Sequence, residues 1–307
     1  MGSKVIGYWM SEKKRQKLNW SEFRNVCKKS GYDLIKLDLT KPLDDQGPFS
    51  IILHKLTDII VQANRGDEKA SQMIKEVERY LSNHPEVVII DPLDNVRKLL
   101  DRYKSYSVID ASPDLTDVDV FTPTFVEINS NDVKENIAAL KRAGVKFPFV
   151  CKPSVGHGSS EAHKMAVIFN EEGVKDCKPP AVAQTFINHN AVLYKIFCVG
   201  EKYFVVERPS LKNFYSKVVP GEETIFFSSP DVSKPDSTSS LTVLDENDPA
   251  RGLGMIPLDH KRLDKIVTTL RREIGLVLLG IDVVIENYTN RYAIIDINAY
   301  PGTYFNT

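Results

Sequence analysis

Hydrophobic and polar positions alternate along the first hundred residues in a way that predicts strand and helix by turns. Lys4–Trp9 reads as a strand. Glu12–Ser30 reads as a helix carrying Leu18, Phe23, Val26 and Cys27 inward and stopped by Gly31. Asp33–Leu39 alternates Leu and Ile with Lys and Asp, and Phe49–Leu56 is a third strand. Glu68–Ser82 follows as a helix, and Val87–Ile90 as a strand ending at Asp91-Pro92. Strands separated by helices of this length imply a parallel sheet, whose ligands gather beyond the carboxyl ends of its strands. Lys55 and the segment Ser11–Lys17 lie just past such ends.

After a helix around Asn95–Lys104 the texture changes. Asp132–Ala143 is helical, with Asp132 and Glu135 spaced like a capping box. Phe147–Lys152, Lys164–Phe169, Pro180–Phe186, Val192–Val199 and Tyr203–Arg208 read as strands. Ser228–Pro257, poor in large apolar residues, is a long loop, either a mobile insertion or part of a ligand wall. Asp259–Ile274 is an amphipathic helix, and Leu279–Asn298 closes the chain as a hairpin.

That hairpin carries the chemistry. Its turn signals, Asn287, Thr289 and Asn290, centre it near Thr289, which sets Asp282 opposite Asp296. Opposed residues share a face, and Asn298, two further on, points the same way. Two carboxylates ~5 Å apart repel by ~3 kcal/mol at an effective dielectric of about 20. A hard divalent cation on the three oxygens would cancel that repulsion, which suits magnesium bridging phosphates. The alternatives are a tolerated acidic pair or a register slipped by one, which sends the aspartates to opposite faces.

Composition narrows the field. The chain has 307 residues, 42% apolar and 26% charged, with net charge −1. That suits two or three lobes of a soluble protein and leaves no global field for nucleic acid or a membrane. The four cysteines form no CxxC pair, which points to reduced thiols in a cytosolic or nuclear protein, and a cytoplasmic one is expected. No run nears the ~18 apolar residues that a membrane span needs. Lys152 ends an apolar strand and Lys195 sits inside one, positions that are costly unless the ammonium meets an anion or snorkels out. Lys13, Lys14, Arg15 and Lys17 form a short basic cluster, fit for a polyphosphorylated molecule or simply a solvated helix face. The loop Val155-Gly-His-Gly-Ser-Ser160 could cover phosphates as a flap. There is no GxxxxGK[ST], no HRD or DFG, and no Gly-rich dinucleotide fingerprint after the first strand.

The segments GYWMSEKK (7–14), HKLTD (54–58), DRYKSY (101–106), FPFVCK (147–152), VGHGSS (155–160), QTFINHNAVLYK (184–195), ERPSLKNF (207–214), GID (280–282) and DINAYPG (296–302) occur in order along the chain. Together they resemble the inositol-tetrakisphosphate 1-kinase family, also called inositol 1,3,4-trisphosphate 5/6-kinases, of the ATP-grasp superfamily. The resemblance implies an α/β chain. A Rossmann-like pre-ATP-grasp domain over 1–105 would precede a central ATP-grasp lobe over 106–190 and a C-terminal lobe over 191–307. It implies ATP as co-substrate and magnesium, expected as two ions, on Asp282, Asp296 and Asn298. Arg102, Lys152, Gln184, Lys195, Ser210, Ser229 and Ser233 would meet the nucleotide. Lys14, Lys55, His157, His163, Lys195 and Gly302 would hold the inositol phosphate. Lys152 and Lys195 would offset charge on the transferred group. The family continues past Pro-Gly into a small-residue segment and a terminal helix, and here the sequence stops five residues after Gly302. A monomer acting on ATP and inositol phosphates is expected, with no nucleic-acid or membrane partner. The metal and nucleotide residues would equally suit a carboxylate–amine ligase of the same fold, and a non-catalytic inositol-phosphate sensor also stays open.

Overall fold

The structure is a computed structural model that describes residues 4–16, 18–156, 158, 160–215, 222–253 and 256–301. His157 and Gly302 lie outside the described residues.

The N-terminal lobe runs β1 (Lys4–Trp9), α1 (Glu12–Gln16), α2 (Trp20–Lys29), β2 (Tyr32–Lys36), β3 (Ile51–His54), α3 (Thr57–Asn64), α4 (Glu68–Asn83), β4 (Val88–Ile90) and α5 (Leu93–Lys98). Its four strands form a parallel sheet in the order β2-β1-β3-β4, as the alternation predicts. The single helix expected over residues 12–30 is two. Asn19 caps the second, its side chain accepting from the Glu22 amide, so the chain restarts there. That break rotates α2, and of the four side chains expected inward only Cys27 is buried; Phe23 and Val26 are exposed. The helix expected around 95–104 is also broken. It stops at Lys98, and Asp101 caps a new one, α6 (Arg102–Asp110).

After α6 come α7 (Pro113–Thr116), β5 (Val120–Phe121), β6 (Phe125–Ile128), α8 (Val133–Ala143), β7 (Phe149–Pro153), β8 (Lys164–Ile168) and β9 (Ala181–Thr185). Asp132 caps α8, but the reciprocal half of the expected box is absent. Ser130, not Glu135, accepts from the Asp132 amide. The chain then forms β10 (Val192–Val199), β11 (Lys202–Pro209), β12 (Ile225–Ser228), α9 (Ser229–Ser233), α10 (His260–Ile274), β13 (Leu278–Ile285) and β14 (Tyr292–Ala299). The expected loop over 228–257 thus opens with a short helix.

Two five-stranded sheets result, β12-β8-β7-β9-β6 and β11-β10-β13-β14-β5. They exchange strands: β5 joins the second sheet from the first sheet's part of the sequence, and β12 does the reverse. Each sheet buries one face. In the second, Ile196, Cys198, Ile281, Val283, Ile294 and Ile297 pack on α10 and on the core of the N-terminal lobe. In the first, Cys151, Ala166, Ile168, Ala181 and Ala183 form a core with Leu140 of α8. The other two faces turn toward each other. Among the described residues no helix is long and apolar enough to cross a membrane.

Asp91 fastens the N-terminal lobe to the second sheet. Its carboxylate accepts from the amides of Val277 (2.8 Å) and Leu278 (2.9 Å), while His54 Nε2 lies 2.7 Å from its carbonyl. A carbonyl only accepts, so that nitrogen carries the ring's proton.

Candidate active site

The hairpin registers Asp282 opposite Asp296, as its symmetry predicts, but by a route that symmetry does not reveal. Near the turn, Ile285 pairs with Tyr292 and Val283 with Ile294. Continued without a break, that register would set Asp282 opposite Ile295 and turn Asp296 into the core. A bulge between Asp282 and Val283 supplies one extra residue, Ile295, and so brings Asp296 into line with Asp282. The extra residue has no ladder partner, and its carbonyl accepts from Lys152 Nζ at 2.9 Å. The irregularity that aligns the two aspartates therefore also ties their strand to the opposite sheet.

The space between the sheets is a cleft of about 400 Å³. Arg102, Lys152, His163, Gln184, Lys195, Ser210, Ser229, Ser233, Asp282, Asp296 and Asn298, all singled out from the sequence, line it. Alternation on the strands explains the convergence. Val150 and Lys152 face in from β7, Leu193 and Lys195 from β10, and Asp282 and Val284 from β13.

Charge in the cleft is balanced in pairs. Lys195 Nζ donates to both oxygens of Asp282, at 2.9 and 2.7 Å. Arg102 Nε lies 3.8 Å from Asp296 Oδ1 and is buried without a hydrogen-bond acceptor, while Asn298 Nδ2 is 3.3 Å from Asp296 Oδ2. Burial pushes the Asp282 carboxyl up from its ordinary range, with Lys195 opposing and Asp296 adding to the rise. Lys152 is buried, and its three donors go to Tyr106 Oη (3.1 Å), Gln184 Oε1 (2.7 Å) and Ile295 O. Burial lowers its pKa to about 8, against the pull of Asp296. Burial likewise lowers that of His163, helped by Arg102.

The donor set fits a hard cation: two carboxylates and an amide on one face of the hairpin. Among the described residues no group of three His, Cys, Asp or Glu could hold a metal, so a cation here would rest on the two carboxylates with the Asn298 amide beside them.

Several residues that shape the cleft were not assigned a role one by one from the sequence, although most lie in the segments 101–106 and 184–195. Phe186, Ile187, Leu193, Val284 and Ile295 form its apolar wall. Tyr106 is fully buried and holds Lys152, and its phenol is pushed well above the usual range by burial and by Asp296. His189 lies within the segment 184–195 and is buried; its Nδ1 faces the Ile187 carbonyl and its Nε2 lies 2.7 Å from Ser210 Oγ. Nδ1 must carry the proton, so Nε2 accepts from the Ser210 hydroxyl. Ser210 then offers the cleft only lone pairs.

Lys14 and Lys55 lie outside this cleft. Lys14 Nζ donates to Pro301 O at 3.1 Å and sits 5.0 Å from the Tyr300 ring centroid. Lys55, at the end of β3, lines a small cavity with Tyr300, and burial lowers its pKa against the pull of Asp58. Both basic residues thus meet the chain just beyond Asn298, on the side of the N-terminal lobe.

Burial lowers the pKa of both His54 and His189 to about 4. The unfolded chain takes up those protons near pH 6.5, the folded one only near pH 4. Stability should therefore fall as pH drops from 6.5 to 4, by up to ~3 kcal/mol per histidine. Urea melts of the wild type and of H54Q and H189Q at pH 7 and pH 4.5 check this. Each variant should lose less stability between the two than the wild type does.

Two facing sheets around such a cleft, one antiparallel and one antiparallel but for the parallel edge strand β5, behind a parallel-sheet lobe, define an ATP-grasp protein. D-cycloserine synthetase DcsG superposes with a TM-score of 0.61 at 12% identity, covering 97% of this chain and 92% of that one. The ATP-grasp ligase PsnB superposes with a TM-score of 0.54 at 10% identity, over 97% and 91%. Such distant likeness speaks for the fold alone. Sequence profiles are more specific. That of the inositol 1,3,4-trisphosphate 5/6-kinase pre-ATP-grasp domain matches residues 5–96, and that of the ATP-grasp domain of the same kinases matches 115–305. Inositol-tetrakisphosphate 1-kinases from Xenopus laevis and Danio rerio are each 46% identical over 97% of this chain and 74% of their own length. Inositol-tetrakisphosphate 1-kinase 1 of Oryza sativa subsp. indica is 33% identical over 97% and 79%. The chain belongs to the inositol 1,3,4-trisphosphate 5/6-kinase family.

Proposed function

We propose that this protein transfers the γ-phosphoryl group of ATP to a ring hydroxyl of an inositol tris- or tetrakisphosphate. Family membership makes it an ATP-dependent inositol phosphate kinase. The observation that carries the finer reading is the arrangement of Arg102, Lys152 and Lys195 around Asp282 and Asp296 at the meeting of the two sheets. Phosphoryl transfer asks for little covalent chemistry and much positioning and charge neutralisation. Magnesium, when bound to Asp282, Asp296 and Asn298, supplies a counter-charge for the phosphates. The protein's own contribution is cationic. Arg102 and Lys152 hold the phosphates, and Lys195, released from Asp282, offsets charge gathering on the transferred group. The apolar wall of Phe186, Ile187, Leu193 and Val284 suits the base, with Ser210 accepting a hydrogen bond from the nucleotide and Ser229 and Ser233 on its rim.

The inositol phosphate belongs on the N-terminal side, toward His163, Lys55 and Lys14, with His157 and Gly302 assigned by the family motif. Lys14 and Lys55 both approach Tyr300, the residue before Pro301-Gly302, which supports one basic pocket there. Cations gathered on that side favour a polyphosphorylated acceptor over an amino acid, and so favour a kinase over a ligase.

Incubation with inositol 1,3,4-trisphosphate and with inositol 3,4,5,6-tetrakisphosphate, followed by identification of product positions, tests the proposal. Products with one further phosphate and equal ADP are expected. ADP release without a phosphorylated inositol product would refute it. Lys55→Ala should raise KM for the inositol phosphate by on the order of tenfold, one charge-assisted contact, and leave KM for ATP unchanged.

A further inference from the structure

Along β7 the side chains of Val150 and Lys152 face the nucleotide cleft, and those of Cys151 and Pro153 face the other way. Behind the strand, beyond the part covered by α8, lies a second cavity of about 560 Å³. We propose that this rear cavity is a second small-molecule site, and that it takes an anion with a flat apolar body, such as an aryl sulfonate, carboxylate or phosphate ester.

Its floor and walls are apolar. Pro153, Pro180 and Ala181 form one side and Phe226 another, while Met165 and Phe227 are shared with the nucleotide cleft. Phe226 is 63% exposed, so an aromatic face stands open at the mouth. The rim is charged: Arg65, Lys164 and Lys178 stand against Glu161 and Asp176. Lys164 already pairs with Glu161 at 2.7 Å. Arg65 and Lys178 make no ion pair among the described residues. Two cations are thus available to a ligand while one of the two carboxylates is already neutralised. Inside the cavity wall, Ser154 is 6% exposed, and its hydroxyl is buried without a hydrogen-bond partner among the described residues. A buried orphan hydroxyl costs free energy that a ligand's acceptor would recover. Volume, apolar lining and a few converging polar groups are the attributes of a pocket for a ligand of drug-like size.

The same wall reaches the nucleotide side. The carbonyl of Ser154 accepts from the Arg102 amide at 2.9 Å, and the carbonyl of Pro153 accepts from the Arg102 guanidinium. A ligand that orders Pro153 and Ser154 would therefore order the residue that meets Asp296. If occupancy changes the affinity for nucleotide, nucleotide must change the affinity for the ligand by the same factor.

The test uses the full chain and 8-anilinonaphthalene-1-sulfonate, an aryl anion that fluoresces when shielded from water, titrated with and without saturating ADP and magnesium. The expected result is one saturable site that persists when ADP is present. In the double variant R65E/K178E its affinity should fall by about tenfold, the effect of losing charge-assisted contacts to the anion. Both substitutions lie at the rim, so the kinase rate of the double variant should match the wild type and show that it is folded. Three results would each overturn the site: no saturable enhancement, complete displacement by ADP, or affinity in the double variant within twofold of wild type. The double-variant comparison needs no nucleotide, so it stands or falls apart from the kinase reading.

Discussion

Asp296→Asn is expected to lower turnover by a factor on the order of 10³, the effect of removing one group that stabilises charge in a transition state. The fold should survive it. Asp296 faces Asp282 across the ladder, and like charges so opposed are destabilising. Neutralising one relieves that repulsion but weakens the pairing with Arg102, so thermal stability should change little, and the amide keeps the shape and the contact with Asn298. Loss of activity with little change in stability marks a residue kept for chemistry rather than for the fold. Steady-state rates at saturating ATP, together with a thermal melt, check both halves. Turnover within a few-fold of wild type would remove Asp296 from the centre.

Lys152→Met should show the second large effect, a fall in kcat/KM for ATP of 10²-fold or more from the loss of a buried cation that meets phosphates. The substitution also leaves Gln184 Oε1 and the Ile295 carbonyl without their donor, so some stability should go with it. A pH profile separates the charge from the packing. With a pKa of about 8 in the free protein, Lys152 carries its proton below that pH and loses it above. The quantity kcat/KM reports the free enzyme, so it should fall about tenfold per unit as pH rises beyond 8. Lys152→Arg, which keeps its charge throughout, should be slower at neutral pH but flat through this range. An alkaline limb that persists in the arginine variant would assign it to another group.

The strands were legible because their periods are short and their apolar residues β-branched; Lys4–Trp9 and Val192–Val199 begin and end where the pattern says. Helix breaks were not. Asn19 and Asp101 cap new helices inside segments whose apolar spacing runs straight through, and a cap is decided by one side chain and a backbone amide rather than by periodicity. The bulge at Ile295 is invisible for a similar reason. It substitutes one apolar residue for another in an apolar run, and only the pairing with β13 reveals the extra position. The pairing of Asp282 with Asp296 was readable because the turn residues fix a centre. Residues of the cleft that act through other residues were hidden. Tyr106 holds Lys152, and His189 orients Ser210, but each looks from the sequence like an ordinary buried aromatic.

The central claim is that the cleft carries phosphate from ATP to an inositol phosphate, and label transfer tests it most directly. ATP labelled at the γ-phosphorus should be turned over with magnesium in the presence of separate pools of inositol phosphates and of amino acids. The account predicts label in the inositol phosphate pool, one atom for each ADP released, and none when Asp296→Asn replaces the wild type. Label released as inorganic phosphate only when amino acids are present would contradict it.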